Sequence, residues 1–300
     1  MTSPDQIRAV MNSASHAANS QTGQREPVLW PRIQSLIEQD IANQPRSLQK
    51  TIGPSEMGTD CVHCLAAKLV GWERTPRPPA WMPYIGTAVH ARFEQLFTRL
   101  SEQQGGRYLT EYRVTVGQLF DLHGEAYPIT GSIDLWDQRE HATIDWKIVG
   151  NSTLTLAKAH GPSQQYRVQA SLYGLGLANE QEPPELSCVY FLPRNGQTLA
   201  DAIPWETKWD PRPGRWALAR CQLLVTLLTL IETEYGPDMC DQWIGTLPRS
   251  QSHCFDCGSW AHDRTPERLL NEDTTPDTDG LPERLQRFRD LIEPTYTPQQ

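Results

Sequence analysis

The chain has 300 residues, of which 38% are hydrophobic and 21% charged, a composition ordinary for a globular protein with room for one large or two small domains. Its net charge of −9 argues against a broad, sequence-independent basic surface for duplex DNA, but not against an enzyme whose carboxylates meet phosphate through a metal ion. The longest apolar run, Leu223–Ile231, falls well short of the about 20 residues that span a bilayer. No membrane association is expected. The N-terminal stretch lacks a basic segment followed by an apolar one, so the expected compartment is the cytoplasm.

In chain order, residues 1–26 are polar and without apolar period, and read as a disordered arm. Trp30, Ile33, Leu36, Ile37 and Ile41 then recur at helical spacing over 28–43. Gly53-Pro54-Ser55 reads as a turn and helix cap before a short helix carrying Cys61, Cys64, Leu65 and Leu69. The proline-rich stretch Arg74–Pro83 reads as a connector. Gly86 is expected to open a stronger helix with Val89, Phe93, Leu96, Phe97 and Leu100 as its stripe, and Gly105-Gly106 to end it. Alternation predicts strands at Tyr108–Val116, Ala126–Trp136 and Ala142–Val149. A helix over Ser163–Asn179, a strand at Leu186–Leu192, a pairing segment at Asp201–Trp205 and an apolar helix over 214–235 follow. Residues 248–262 read as a cysteine-bearing loop. Residues 263–300 read as a polar acidic tail, with one helix marked by Leu281, Leu285, Phe288, Leu291 and Ile292. The expected fold class is α/β, with a central mixed sheet flanked by helices. Residues 27–262 form the expected domain.

Chemistry concentrates in a few of these elements. Asp134 lies in Gly131-Ser132-Ile133-Asp134, and Asp145 and Lys147 lie two apart on the next strand, so the latter two share a face. Two carboxylates on adjacent strands can hold a hard cation such as Mg²⁺ or Mn²⁺, with the backbone carbonyl of Ile148 as a further ligand and His90 completing the shell. Lys147 beside such an ion can orient or deprotonate a water and stabilise a developing anion. Glu94 shares the helix face of His90. Metal-dependent hydrolysis of a nucleic acid is the leading reading. Arg167, Lys158, Arg194, Lys208, Arg212 and Arg215 are candidates to line a groove for the strand.

The motif order resembles the RecB-like branch of the PD-(D/E)XK nuclease superfamily. Gly86-Thr87-Ala88-Val89-His90 is similar to its histidine motif and Gly131-Ser132-Ile133-Asp134 to its first acid. Ile144-Asp145-Trp146-Lys147 is similar to its acid–lysine strand, and Gln169-Ala170-Ser171-Leu172-Tyr173 to its Gln–Tyr helix. The resemblance covers roughly residues 47–260 and extends to the CRISPR-associated RecB-like exonucleases and their actinobacterial phage relatives. It implies a restriction-endonuclease-like core. His90, Asp134 and Asp145 would bind the metal, Lys147 would be catalytic, and Gln169 and Tyr173 would position the DNA. Ile148 stands where such nucleases often carry a small hydroxyl residue. The implied activity is exonucleolytic cleavage at single-stranded DNA ends, in recombination, replication or repair. A non-catalytic DNA-end-binding module and a structure-specific endonuclease are the alternatives. No G-x-x-x-x-G-K-[ST] loop occurs, so unwinding would call on a helicase or recombinase partner.

The seven cysteines include two C-x2-C pairs, Cys61/Cys64 and Cys254/Cys257. An odd count in a reducing compartment favours metal over disulfides, and each pair suits chelation by thiolates. One shared centre would join the N- and C-terminal parts. Zinc and iron–sulfur are both open to four thiolates. The resemblance implies a 4Fe–4S cluster, with structural Zn²⁺ as the alternative, although its cysteines fall two before and two after the nuclease motifs rather than one and three. Cys188 and Cys221 read as core residues.

Overall fold

The computed structural model describes residues 29–43, 51–250, 254, 256–261 and 280–298. The arm expected at 1–26 lies outside them. The chain divides into a unit of residues 1–49 and a unit of residues 50–300. The first holds helix α1 (Trp30–Ala42), on which Trp30, Ile33 and Leu36 are exposed.

The second unit is built on a five-stranded mixed sheet of β1 (Tyr108–Phe120), β2 (Ala126–Asp137), β3 (Ala142–Val149), β4 (Leu186–Pro193) and β5 (Ile203–Lys208), in that spatial order. The pairs β1/β2, β2/β3 and β4/β5 are antiparallel and β3/β4 is parallel. A parallel return needs a crossover, supplied here by α5 (Asn151–His160) and α6 (Gln164–Glu180). Helix α5 was not expected. Of its ten residues only Leu154 and Ala157 are buried, too sparse a stripe to register as a period.

Helices cover both faces. On one, Phe93 and Phe97 of α4 (Trp81–Gln103) pack over Leu135, Ile144, Trp146 and Cys188. On the other lie α6 and α7 (Arg212–Tyr235), joined in one core by the short helices α2 (Pro54–Met57) and α3 (Val62–Leu69) and by α8 (Pro237–Gly245). Helix α7 is the one helix among the described residues long and apolar enough, by length and composition, to cross a membrane. It buries Ala217, Cys221, Leu224, Leu228 and Ile231 against this core, which accounts for its apolar run. Arg220 on the same helix is buried too. Its guanidinium donates to the carbonyls of Met57, Thr59 and Pro294, tying the α2–α3 junction to the C-terminal segment.

Several boundaries differ from those expected. Helix α4 starts at Trp81 rather than at Gly86, with Pro83 in its first turn, where a missing N–H costs no intrahelical bond. It ends, as expected, at Gly105 and Gly106, whose φ values of +69° and +86° few other residues adopt. The C-terminal helix α9 (Glu283–Arg289) is no detached tail. Leu281, Leu285 and Ile292 belong to the main core, and the indole of the fully buried Trp243 donates to the Leu285 carbonyl.

Candidate functional site

The β2–β3 ladder holds only from Leu135 to Asp137, opposite Ile144 to Ala142. Beyond it the strands part, and the gap is filled by polar side chains. Asp134 turns its carboxylate into this gap and accepts the Trp146 backbone N–H at 2.7 Å. Asp145 and Lys147 point together toward α6, as their spacing requires. Lys147 Nζ lies 2.7 Å from Asp145 Oδ2 and donates to Gln169 Oε1 at 3.0 Å. The Gln169 amide donates to Asp145 Oδ1 at 3.2 Å and to the Tyr173 hydroxyl at 2.9 Å. Gln169 and Tyr173 stand one turn apart on α6, and the Tyr166 ring closes over Lys147 Nζ at 4.9 Å. Gly131 makes room for this: a Cβ there would come within 2.7 Å of Pro54 and 2.9 Å of the Tyr173 ring.

His90 reaches the gap from α4. Its Nδ1 lies 3.4 Å from Asp134 Oδ1, and its Nε2 lies 3.1 Å from the Trp146 carbonyl oxygen. Glu111 of β1 completes the rim and was not anticipated. It sits opposite Asp134, between the pairs Thr110↔Leu135 and Tyr112↔Ile133, and accepts the Ser132 hydroxyl at 2.7 Å. Ligand atoms of His90, Glu111 and Asp134 all lie within 4.8 Å of one another, close enough to hold one ion. Asp145 is not part of that set.

The electrostatics follow from burial. Full burial raises Asp145 to about 6, with Lys147 opposing the shift and the Asp134 charge adding to it. Burial opposes the charged form of His90, but the contact with Asp134 and the charges of Asp134 and Asp145 outweigh it and raise its pKa. Partial desolvation raises Glu111, against the Ser132 hydrogen bond and with help from the Asp134 charge. Desolvation leads both carboxyl shifts, the Asp134 charge adds to each, and the Lys147 ammonium offsets part of the shift at Asp145.

Ile148 follows at the same end of β3, in register with Leu192 of β4. Glu94 is exposed, and its charge adds to the push on Glu111. Of the basic side chains expected to line a groove, Arg167 and Lys208 line one cavity, which also holds Asp210. Arg167 donates to the carbonyls of Pro162 and His160, and Arg212 pairs with Asp210. The guanidinium of Arg194 lies beside Gly150, at the end of β3 that carries Lys147.

The four cysteines of the two C-x2-C pairs converge. Sulfur separations are 3.4 Å for Cys61–Cys257, 3.5 Å for Cys64–Cys257 and 3.6 Å for Cys64–Cys254, and all four lie within 4.8 Å of one another. Such a group can hold a metal such as zinc or an iron–sulfur cluster. Cys61 caps α3 and Cys64 lies in its first turn. The opposing segment is held by the Arg74–Trp260 bridge and by bonds from Thr75 N to Ser259 O and from Ala261 N to Glu73 O. The Trp260 indole N–H points at Cys64 Sγ from 3.3 Å. His63, fully buried, lies 3.8 Å from the same sulfur. Contact among the thiols holds Cys61 well below the ordinary thiol range and Cys254 at about 7, and pushes Cys64 and Cys257 up. Cys188 and Cys221 are buried in apolar surroundings.

No protein-family model matches the chain, and no curated protein matches it. Among solved structures, the crystal structure of SSO0001 aligns over 67% of this chain and 88% of its own, at 13% identity and a TM-score of 0.39.

Proposed function

We propose that the chain is a divalent-metal-dependent nuclease of the RecB-like type that hydrolyses DNA at single-stranded ends. The observation that carries this reading is the connected set Lys147–Asp145–Gln169–Tyr173, facing Asp134 and His90 across the gap between β2 and β3. A Mg²⁺ or Mn²⁺ ion bound there supplies charge relief on the phosphate and acidifies a water.

The chain's own side chains do the remaining work. Asp145 and Gln169 hold the Lys147 ammonium from two sides, which fixes its position beside the gap. Lys147 orients the attacking water or takes part in moving its proton, and stabilises the anion that develops. The bond from Gln169 to Tyr173, both buried, holds the Gln169 amide in place beneath Lys147, and Arg194 is placed to meet a phosphate near the end of β3. The Trp146 and Phe93 rings lie edge to face behind β3 and keep water out from that side.

For the thiolate centre, spacing favours zinc. Sulfurs bound at about 2.3 Å to one tetrahedral ion stand about 3.8 Å apart. Thiolates on a four-iron cube stand several ångström farther apart, because iron and sulfide lie between them. A closed four-thiolate site with no open position is structural, and joins the chain before the catalytic elements to the chain after them.

The test is degradation of end-labelled linear single-stranded DNA with Mn²⁺, beside a closed circular single strand. Loss of the linear strand alone supports the exonuclease. Cutting of the circle supports an endonuclease, and binding of DNA without cleavage of either supports a DNA-end-binding module.

A further inference from the structure

We infer that the cavity between the start of α6 and the β4–β5 part of the sheet is a binding site for a nucleoside 5′-monophosphate, separate from the gap between β2 and β3. The inference goes beyond the proposed activity and does not rest on it.

The cavity lies on the far side of α6 from the gap. Gln164, Arg167 and Ser171 line it, and at about 100° per residue they fall on the helix face opposite Gln169. Ser187 of β4 and its cross-strand partner Thr207 of β5 line it from the sheet. Val189 and Phe191, two and four residues beyond Ser187, pack with Ala170 of α6, so Ser187 faces the same helix. The C-terminal segment forms the outer wall, and Gln164 holds it there. Its amide donates to the Pro294 carbonyl at 3.1 Å, and its side-chain oxygen accepts the Tyr296 N–H at 2.7 Å. The space measures about 450 Å³, inside the range of roughly 300–1,000 Å³ usual for small-molecule sites.

Its inner end lacks a polar partner. Ser187 is 3% exposed, and its hydroxyl has no hydrogen bond among the described residues. Leaving a buried hydroxyl so is costly. The nearby Ser171 hydroxyl cannot help, because it donates to the Asp210 carbonyl and accepts the Gly214 N–H.

Its mouth is positive. Arg167 gives Nε and Nη2 to the carbonyls of Pro162 and His160, which fixes the guanidinium and leaves Nη1 without a partner among the described residues. The first turn of α6 adds the positive end of a helix, and Lys208 stands at the edge. The acid in the lining, Asp210, is already matched by Arg212. The Trp205 indole stands beside Arg167, since a Cβ at Gly161 would touch both.

A ligand that meets all of these carries a flat body for Trp205, a polar edge for Ser187 and an anion that stays near solvent at Arg167. A nucleobase supplies the first two and a 5′-phosphate the third. Inorganic phosphate would leave the indole and Ser187 unused, and an acyl chain would leave Ser187 unmet.

The experiment is calorimetric titration of the full chain, in buffer without Mg²⁺ or Mn²⁺, with the 5′-monophosphates of deoxyadenosine, deoxyguanosine, deoxycytidine and thymidine. Each is run beside its nucleoside and beside inorganic phosphate. Wild type is expected to bind at least one monophosphate. Ser187→Ala removes only the hydroxyl. It should melt at or above wild type and bind nucleoside and nucleotide about fivefold more weakly. Arg167→Gln should weaken the nucleotide about tenfold and the nucleoside little. Lys147→Ala, in the gap, should bind the nucleotide as wild type does. No binding of any of the four at millimolar concentration would overturn the assignment. So would unchanged affinity in Ser187→Ala, inorganic phosphate binding as tightly as the nucleotide, or a loss in Lys147→Ala, which would move the nucleotide to the gap.

Discussion

Asp145 is a carboxyl buried deeply enough to be raised from 3.8 to about 6, and that shift fixes how stability must respond to pH. Between roughly pH 4 and 6 the folded chain keeps a proton that the unfolded chain has lost. Stability from this group is therefore fully present below pH 4 and falls as pH rises, levelling off above pH 6. A shift of this size corresponds to about 3 kcal/mol, roughly half of which develops between pH 5 and 8. Asp145→Asn cannot ionise, so it removes the slope while keeping the shape and the contact with Gln169. In protein free of Mg²⁺ and Mn²⁺, the variant should gain on wild type by about 1–2 kcal/mol between pH 5 and 8, a few degrees in melting temperature. Comparing the two proteins at each pH cancels the titrating groups that do not feel the Asp145 charge; His90, which that charge helps to raise, titrates less readily in the variant and is followed separately. Thermal melts followed by circular dichroism measure the gap. Parallel curves, with the same gap at pH 5 and pH 8, would refute the claim that a buried Asp145 holds a proton that the unfolded chain gives up.

Three further outcomes are expected. Cys257→Ser should lose the bound metal, read by elemental analysis, and melt well below wild type, because Cys257 lies against both Cys61 and Cys64. A metal content of one zinc per chain with no absorption near 400 nm fits the sulfur spacing, whereas four irons per chain would contradict it. Gly131→Ala should cost about 1–3 kcal/mol and lower cleavage further than stability, since the new methyl meets Pro54 and the Tyr173 ring. A variant that melts and cuts like wild type would show that Tyr173 has slack.

Much of the scaffold was legible because its strands are short runs rich in β-branched and aromatic residues, alternating in β5 and buried without a break from Ala142 to Trp146 in β3. β3 has the predicted bounds, and the two-residue spacing of Asp145 and Lys147 placed both toward α6. The four-residue spacing of Gln169 and Tyr173 likewise made them neighbours on a helix. What failed was whatever depended on partners distant in sequence. Glu111 reads locally as a solvent-facing strand residue. Only the β1–β2 register brings it opposite Asp134, and a positive φ leaves no mark on the apolar period. Helix α5 buries too little to show a stripe, and the start of α4 was hidden by prolines that a first turn tolerates. The C-x2-C pairs announced chelation. That Cys64 and Cys254, 190 residues apart, share one site is a product of tertiary packing.

The central claim is that Lys147, gripped by Asp145 and Gln169, serves hydrolysis of a DNA strand. The most direct test is the rate at which end-labelled single-stranded DNA is degraded with Mn²⁺ by wild type and by Lys147→Ala, both shown by their melts to be folded. The account predicts degradation by wild type and a loss of at least a hundredfold in the variant, with Mn²⁺ affinity little changed. Equal rates in the two proteins, or no degradation by a folded wild type with its thiolate centre filled, would contradict it.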